Sequence, residues 1–142
     1  MSVYTDILSA VKANLTTALP AQNIRIRKKA VAVQDDTFPL VLVVPVKDEY
    51  QDDTFSGYVV LAYEVLVVCV NSGGDSLDTD FGILDTRQTV RQTLHQPTLS
   101  GADTVYDTQV DLQPVFDSSA LSKTYNYSPL IFKFISREVR NP

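Results

Sequence analysis

A run of apolar residues in the middle of the chain constrains the fold more than any other feature. Residues 58–70 read YVVLAYEVLVVCV and include one charged side chain, Glu64. The run is too short to cross a bilayer as a helix, which takes about 20 apolar residues, and its β-branched and aromatic side chains predict a strand buried on both faces. At ~3.3 Å per residue this strand would extend ~40 Å, about the ~37 Å diameter of a globule of this length. We therefore expect a scaffold protein whose sheet extends to meet its neighbours.

The composition predicts one globular domain spanning residues 1–142. Of these residues 44% are hydrophobic and 20% are charged, and the formal net charge is −5, which argues against a free-standing nucleic-acid binder. Cys69 is the only cysteine, so an intrachain disulfide and a Cys-rich metal site are excluded, and its position predicts a buried thiol. The N-terminus carries Asp6 and no basic segment, so we expect no signal peptide and synthesis in the cytoplasm.

The first half predicts a helix followed by three strands. A helix capped by Ser2 is expected to end at Pro20, and the alternation in residues 24–33 predicts a half-exposed strand. Residues 38–46 (FPLVLVVPV) form a second apolar strand. The polar segment 47–57 connects it to the long strand, which predicts an extended hairpin with a projecting acidic tip.

The second half predicts a helix over residues 77–95, a strand over 104–115 and a closing strand over 125–140. In the closing strand we expect an inward row of Leu130, Phe132 and Phe134. The order α-β-β-β-α-β-β predicts an α+β fold: a mixed, mainly antiparallel sheet with a long β-hairpin and two helices packed on the sheet. The strand over 104–115 is expected to place Tyr106, Thr108, Val110 and Leu112 on one face and Asp107, Gln109, Asp111 and Gln113 on the other.

No catalytic motif accompanies these elements, so we expect no catalytic residue, no metal and no cofactor. The turn before the second helix has no lysine, and the aspartates of residues 75–80 would repel a phosphate and do not match a calcium loop. The single histidine, His95, is expected at a helix end rather than in a catalytic triad. Two alternatives stay open: an enzyme centred on Glu64 or on the 75–80 cluster, and a module that binds a ligand or a protein in a pocket between helices and sheet. The basic residues Arg25, Arg27, Lys28 and Lys29 predict a solvated face or a contact with an acidic partner rather than with phosphate.

The layout of the second half resembles the tail-terminator and neck proteins of long-tailed bacteriophages. The resemblance rests on the helix ILDTRQTVRQTL, the strand segment LSGADTVYDTQVDLQPVFD and the closing strand YNYSPLIFKFISREVR. It implies a non-enzymatic virion protein, made in the host cytoplasm, that forms a homo-oligomeric and commonly hexameric ring. Such a ring caps the tail tube, contacts the tail tube protein and the head connector, and lets DNA pass without specific binding. A head-completion or other connector protein of the neck is the alternative within this group, and a non-viral binding module is the alternative outside it.

Two groups of charged residues are the candidate functional residues under this resemblance. The closing strand ends in charges that are well placed for salt bridges to an adjacent subunit, namely Arg137, Glu138 and Arg140. Acidic side chains lining a channel would keep DNA from adhering to it. The candidate channel-lining or partner-facing residues are Asp48, Glu49, Asp52, Asp53, Asp107 and Asp111.

Overall fold

The described part of the chain forms a five-stranded sheet with two helices. The computed structural model describes residues 2–32, 36–53, 57–71, 82–116 and 125–139. The sheet order is β1-β2-β3-β5-β4, with β1 and β2 parallel and the other pairs antiparallel, which confirms the predicted α+β fold and the order of its elements. The elements are α1 (Val3–Ala18), β1 (Asn23–Ile26), β2 (Leu40–Asp53), β3 (Tyr58–Asn71), α2 (Gly82–Leu94), β4 (Val105–Asp111) and β5 (Asn126–Val139).

Both helices pack on the same face of the sheet and form the main core with it. The Ser2 hydroxyl accepts a hydrogen bond from the Thr5 N–H and so caps α1 as predicted. The inward row of β5 is completely buried, which confirms that prediction. In the core this row packs against the apolar stripes of the two helices and against β3. The central residues of the core are Ile7, Val11, Leu15, Val65, Val67, Val90, Leu94, Leu130, Phe132 and Phe134.

The opposite face of the sheet, called here the open face, is covered by described residues at one end only. There Leu42, Val68 and Tyr127 form a second apolar cluster, against which Ala30 and Phe38 pack. The C-terminal half of β3 is therefore buried on both faces, as predicted for residues 58–70. The prediction is wrong at the start of that run, where Tyr58 is exposed and residues 59–61 are only partly buried, since the sheet extends past the helices there. Among the described residues the cover on the open face comes from Tyr125 and from the segments on either side of residues 33–35, and neither described helix contributes to it.

The first strand is shorter than predicted. Of residues 24–33, only those up to Ile26 pair with β2. The chain turns away because the Arg27 guanidinium forms an ion pair with Asp36 and donates a hydrogen bond to the Val31 carbonyl. Val33 lies outside the described residues.

The acidic segment after residue 46 is strand and not a connection. β2 continues to Asp53 and pairs with β3 as far as Val59, with irregularities after Pro45 and after Tyr50. Asp48 therefore lies along the hairpin and not at its tip, and so does Glu49. Polar side chains are compatible with this pairing because the sheet extends past the helices here and both faces meet water.

The predicted alternation in β4 is confirmed for Thr108 and Asp107, which lie on opposite faces of the sheet, but Tyr106 departs from it. A register shift between Val105 and Asp107 makes Tyr106 an extra residue opposite β5, and its side chain is exposed. β4 also ends at Asp111, before the predicted end. The described part of α2 ends at Leu94, close to the predicted end, whereas its predicted start at residue 77 lies outside the described residues.

Candidate interaction surfaces

The sheet is much longer than the helices that cover it. Strands β2, β3 and β5 have 14 residues each, or ~46 Å at ~3.3 Å per residue, whereas the 16 residues of α1 rise ~24 Å. Tyr50 is 72% exposed, Val139 is 72% exposed and Tyr58 is 38% exposed. We call this projecting end of the sheet the arm, and it comprises residues 48–53, 58–61 and 137–139.

The N-terminus of α1 is fixed where the arm begins. The Tyr4 hydroxyl accepts a hydrogen bond from the Val46 N–H (3.0 Å) and donates to the Glu64 carbonyl, with a second carbonyl, that of Lys47, at 3.2 Å. These backbone groups lie at the irregularity in β2 where the ladder is interrupted. The Tyr4 ring packs edge-on against Tyr63 at 5.0 Å. Burial, opposed by the Val46 hydrogen bond, raises the pKa of Tyr4.

Glu64 belongs to a network of charges on the open face. Its Oε2 lies 3.8 Å from the Lys47 Nζ, and Lys133 Nζ lies 3.8 Å from Glu49 Oε1. Lys47 is also 4.0 Å from Glu49. The sequence suggested either an arginine partner for Glu64 across the sheet or an outward position at a bulge. The partner is Lys47, and Glu64 lies opposite the irregularity between Pro45 and Lys47. The one charge in the apolar run is thereby neutralised within the sheet.

The six acidic candidates do not form one patch. Glu49 and Asp107 face the same side, but the register Glu49–Ala62–Ile135–Asp107 puts two strands between them, or ~14 Å. Asp111 is exposed on the same edge strand as Asp107. Asp48 pairs with Tyr63 and so faces the helix side. The side chains of Asp52 and Asp53 lie outside the described residues.

The charged residues at the end of β5 make contacts within the chain. The Arg137 guanidinium lies 4.3 Å from the centre of the Tyr58 ring. Glu138 accepts a hydrogen bond of 2.7 Å from the Tyr63 hydroxyl, and burial together with this bond raises the pKa of Tyr63 well above its ordinary value. Both contacts hold β5 against β3 in the arm. Arg140 lies outside the described residues.

A groove on the open face is a feature that sequence reasoning missed. Its volume is about 220 Å³. Leu112 and Val31, which adjoin its lining residues Gln113 and Ala30 in the sequence, are 64% and 54% exposed. Its walls come from segments far apart in sequence, so no local periodicity reveals it. The groove is lined by Ala30, Leu66, Val68, Gln113, Tyr127, Pro129 and Ile131.

The basic residues near β1 flank this groove. Lys28 and Lys29 are exposed and directly precede Ala30 in its wall, and Arg25 pairs with Leu42 on the open face. None of these three makes an ion pair with a described residue. Arg27 differs because its guanidinium already forms an ion pair with Asp36, which raises the pKa of Arg27. Three of the four predicted basic residues are therefore available to a partner.

A larger pocket of about 400 Å³ lies between α2 and the sheet. Its wall includes Gln22, Cys69 and Thr86. The Gln22 Nε2 donates to the Thr86 Oγ1 at 3.4 Å, whereas the Gln22 Oε1 is buried with no hydrogen-bond partner among the described residues. Burial raises the pKa of the Cys69 thiol to about 12, so this thiol is protonated at neutral pH and is a poor nucleophile.

The other candidate chemistry finds little geometric support. Within the described residues no three His, Cys, Asp or Glu side chains lie close enough to hold a metal ion. His95 is exposed just after α2, and the 75–80 cluster lies outside the described part. None of the helices described is long and apolar enough to cross a membrane.

Comparison with known proteins assigns no family. No family model matches the chain, and no curated protein matches it.

Proposed function

We propose that this chain is a structural virion protein that forms a homo-oligomeric ring at the head-proximal end of a phage tail. The ring caps the tail tube and joins it to the head connector. The arm is the observation that carries this proposal, because three strands extend beyond the helices and present exposed tyrosine and valine side chains. Exposed apolar side chains grouped on a rigid element are typical of a surface that contacts other subunits.

The charge of the chain is consistent with a position around the DNA channel. A net charge of −5 disfavours adhesion to the phosphate backbone. Asp107 and Asp111 are exposed on the edge strand β4, so they are the acidic candidates best placed to face a channel. Glu49 is less suited to that role, since Lys133 and Lys47 neutralise it.

Size-exclusion chromatography with light scattering, combined with electron microscopy of the purified protein, tests the ring. We expect a closed oligomer of uniform copy number, and labelling of the assembled phage is expected to place it between head and tail. A strictly monomeric protein that no virion contains would refute the proposal. Labelling at the head vertex in tailless particles would instead indicate a head-completion or other connector protein.

The pocket between α2 and the sheet favours a second candidate function, a module that binds a small ligand. Its volume falls in the range typical of ligand sites, and it combines apolar walls with the Gln22 amide. A thermal-shift screen of small molecules tests this function. A ligand of this pocket is expected to raise the melting temperature of the native chain but not that of Thr86→Phe, which fills the pocket.

A further inference from the structure

The groove on the open face has the composition of an interface. Its lining is apolar except for Gln113. The exposed residues Lys28, Lys29 and Val31 adjoin Ala30 of its wall in the sequence, and the exposed Leu112 adjoins Gln113. An apolar centre with a charged rim is the usual anatomy of a protein–protein contact. A partner that fits this groove has to bring aromatic or aliphatic side chains together with negative charge.

The arm has that complementary composition. Tyr50, Tyr58 and Val139 are its exposed aromatic and aliphatic side chains. Asp48 is exposed next to Tyr50 on the helix side of the arm, whereas Tyr58 and Val139 lie on its open face. Asp48 forms no ion pair with a described residue. Tyrosine supplies a large contact area at a low cost in conformational entropy, so exposed tyrosines on a rigid strand suit an interface.

The arm cannot reach the groove of its own chain. Leu66 in the groove and Tyr58 in the arm are eight residues apart on β3, or ~26 Å along one extended strand. Arg25 pairs with Leu42, six residues before Asp48 on β2, which separates these charges by ~20 Å, well beyond the ~8 Å screening length at physiological salt. The arm and the groove can therefore contact each other only when they belong to different molecules.

We propose that the arm of one copy docks in the open-face groove of the next copy, with Tyr50 on the apolar lining and Asp48 against Arg25, Lys28 and Lys29. This inference rests on the proposed function, since it names the contact that builds the ring. The contact is head-to-tail, because the two surfaces differ. Repeating such a contact generates a ring when the rotation between copies closes.

Two complementary variants test this contact. The groove variant combines Lys28→Glu with Lys29→Glu, and the arm variant combines Asp48→Asn with Tyr50→Ser, so that the mutated arm carries no new cation that could attract the mutated groove; Glu49 is left intact because it pairs within the sheet. Lys12→Glu on α1 and Asp85→Asn on α2 are matched controls that change charges elsewhere. Circular dichroism and thermal unfolding establish that each variant folds. Analytical ultracentrifugation then measures the oligomer of each variant alone and of the two mixed.

We expect each interface variant to associate about 30-fold more weakly or worse, whereas both controls assemble like the native chain. The mixture is the decisive sample. The groove variant retains an intact arm and the arm variant retains an intact groove, so the mixture is expected to form one-to-one pairs that stop growing. Such pairs support a head-to-tail contact, because a contact that uses the same surface on both copies would not be restored.

Other results would overturn the inference in distinguishable ways. If the native chain forms a ring and both folded variants form the same ring, the arm–groove contact is wrong and the proposed function stands. If the native chain is monomeric at every concentration and absent from virions, both fail. If the native ring persists in the variants but they no longer bind the tail tube protein, the groove accepts another protein and not a second copy.

Discussion

At the scale of single residues, the hydroxyl of Tyr4 satisfies backbone groups that the sheet leaves unpaired. It bonds the Val46 N–H and the Glu64 carbonyl where the ladder between β2 and β3 is interrupted. A phenylalanine in its place keeps the ring but leaves these groups without a partner. The sequence predicts a helical residue here, but not a contact with strands more than 40 residues away.

Replacing Tyr4 by phenylalanine is expected to lower the free energy of unfolding by ~0.5–1.5 kcal/mol, the net contribution of a typical hydrogen bond, because water reaches the Val46 N–H and only partly reaches the Glu64 carbonyl. Urea denaturation measures the change. Tyr106→Phe is the matched control, since the Tyr106 side chain is half exposed and its loss of a hydroxyl is expected to change stability by less than ~0.5 kcal/mol. Equal effects of the two substitutions would show that the Tyr4 hydroxyl contributes nothing.

Cys69 is expected to be inert in the native protein, because its thiol is buried and its pKa is raised from 9.0 to about 12. A thiol reagent at pH 8 is expected to modify it only after unfolding. Above pH 9 the unfolded chain loses this proton while the folded chain keeps it, so the free energy of unfolding falls as the pH rises from 9 towards 12.

Urea denaturation of the native chain and of Cys69→Ala between pH 8 and ~11 isolates this contribution. Alanine removes the titrating group, so the variant is expected to lose less stability over this range. Tyr63 also has a raised pKa, but it is common to both proteins and cancels in the comparison. Parallel pH profiles, or rapid modification of the native thiol, would contradict the prediction.

At the scale of secondary-structure elements, Arg87 connects α2 to two other parts of the chain. Its guanidinium donates to the Ser128 Oγ (3.0 Å), to the Pro129 carbonyl (2.6 Å) and to the Gln113 carbonyl (2.8 Å). The acceptors are neutral, and burial lowers the pKa of Arg87. The helical pattern places Arg87 on α2 but does not indicate this role, because its acceptors lie on β5 and after β4.

Arg87→Met is expected to lower the free energy of unfolding by ~2–3 kcal/mol, because the hydrogen bonds of a charged donor are lost while their acceptors stay half-buried. Arg91→Met on the same helix is the control and is expected to cost less than ~0.5 kcal/mol. Thermal unfolding of the two variants checks the difference. An Arg87→Met protein as stable as the control would assign the guanidinium no structural role.

Truncation after Ser136 tests the end of β5. The chain is expected to stay folded, since Leu130, Phe132 and Phe134 of the core are retained. Its oligomer is expected to weaken, because the arm loses Val139, the cation on the Tyr58 ring and the acceptor of Tyr63. Light scattering compares it with a chain that ends at Arg140. An unchanged oligomer would show that this end of β5 does not contribute to the interface.

At the scale of the whole molecule, positive and negative residues are separated along β2. Arg25 and the two lysines lie near its start, and Asp48 and Glu49 lie in its second half. If this separation drives head-to-tail association, raising the salt concentration from ~0.05 to ~0.5 M is expected to weaken the oligomer, because it shortens the screening length. Sedimentation at several salt concentrations measures this. An oligomer that salt strengthens would instead indicate an interface dominated by apolar contacts.

The sequence by itself determined the elements and the class of the fold. The apolar run of residues 58–70 is visible as a strand because β-branched residues repeat along it, and the row of Leu130, Phe132 and Phe134 is visible because alternation is local. The buried state of Cys69 follows from the same run. The α+β class then follows from the order of the elements, since helices that accompany hairpins pack on an antiparallel sheet.

Only the tertiary structure decided how these elements end and which surfaces they leave exposed. β1 stops early because Arg27 pairs with Asp36, and β2 continues through its acidic half because β3 offers a partner strand there. The partner of Glu64, the groove and the contacts of Arg137 likewise depend on residues distant in sequence. Local periodicity carries no information about such contacts, because they form only when the strands are in register and the helices cover one face and leave the other open.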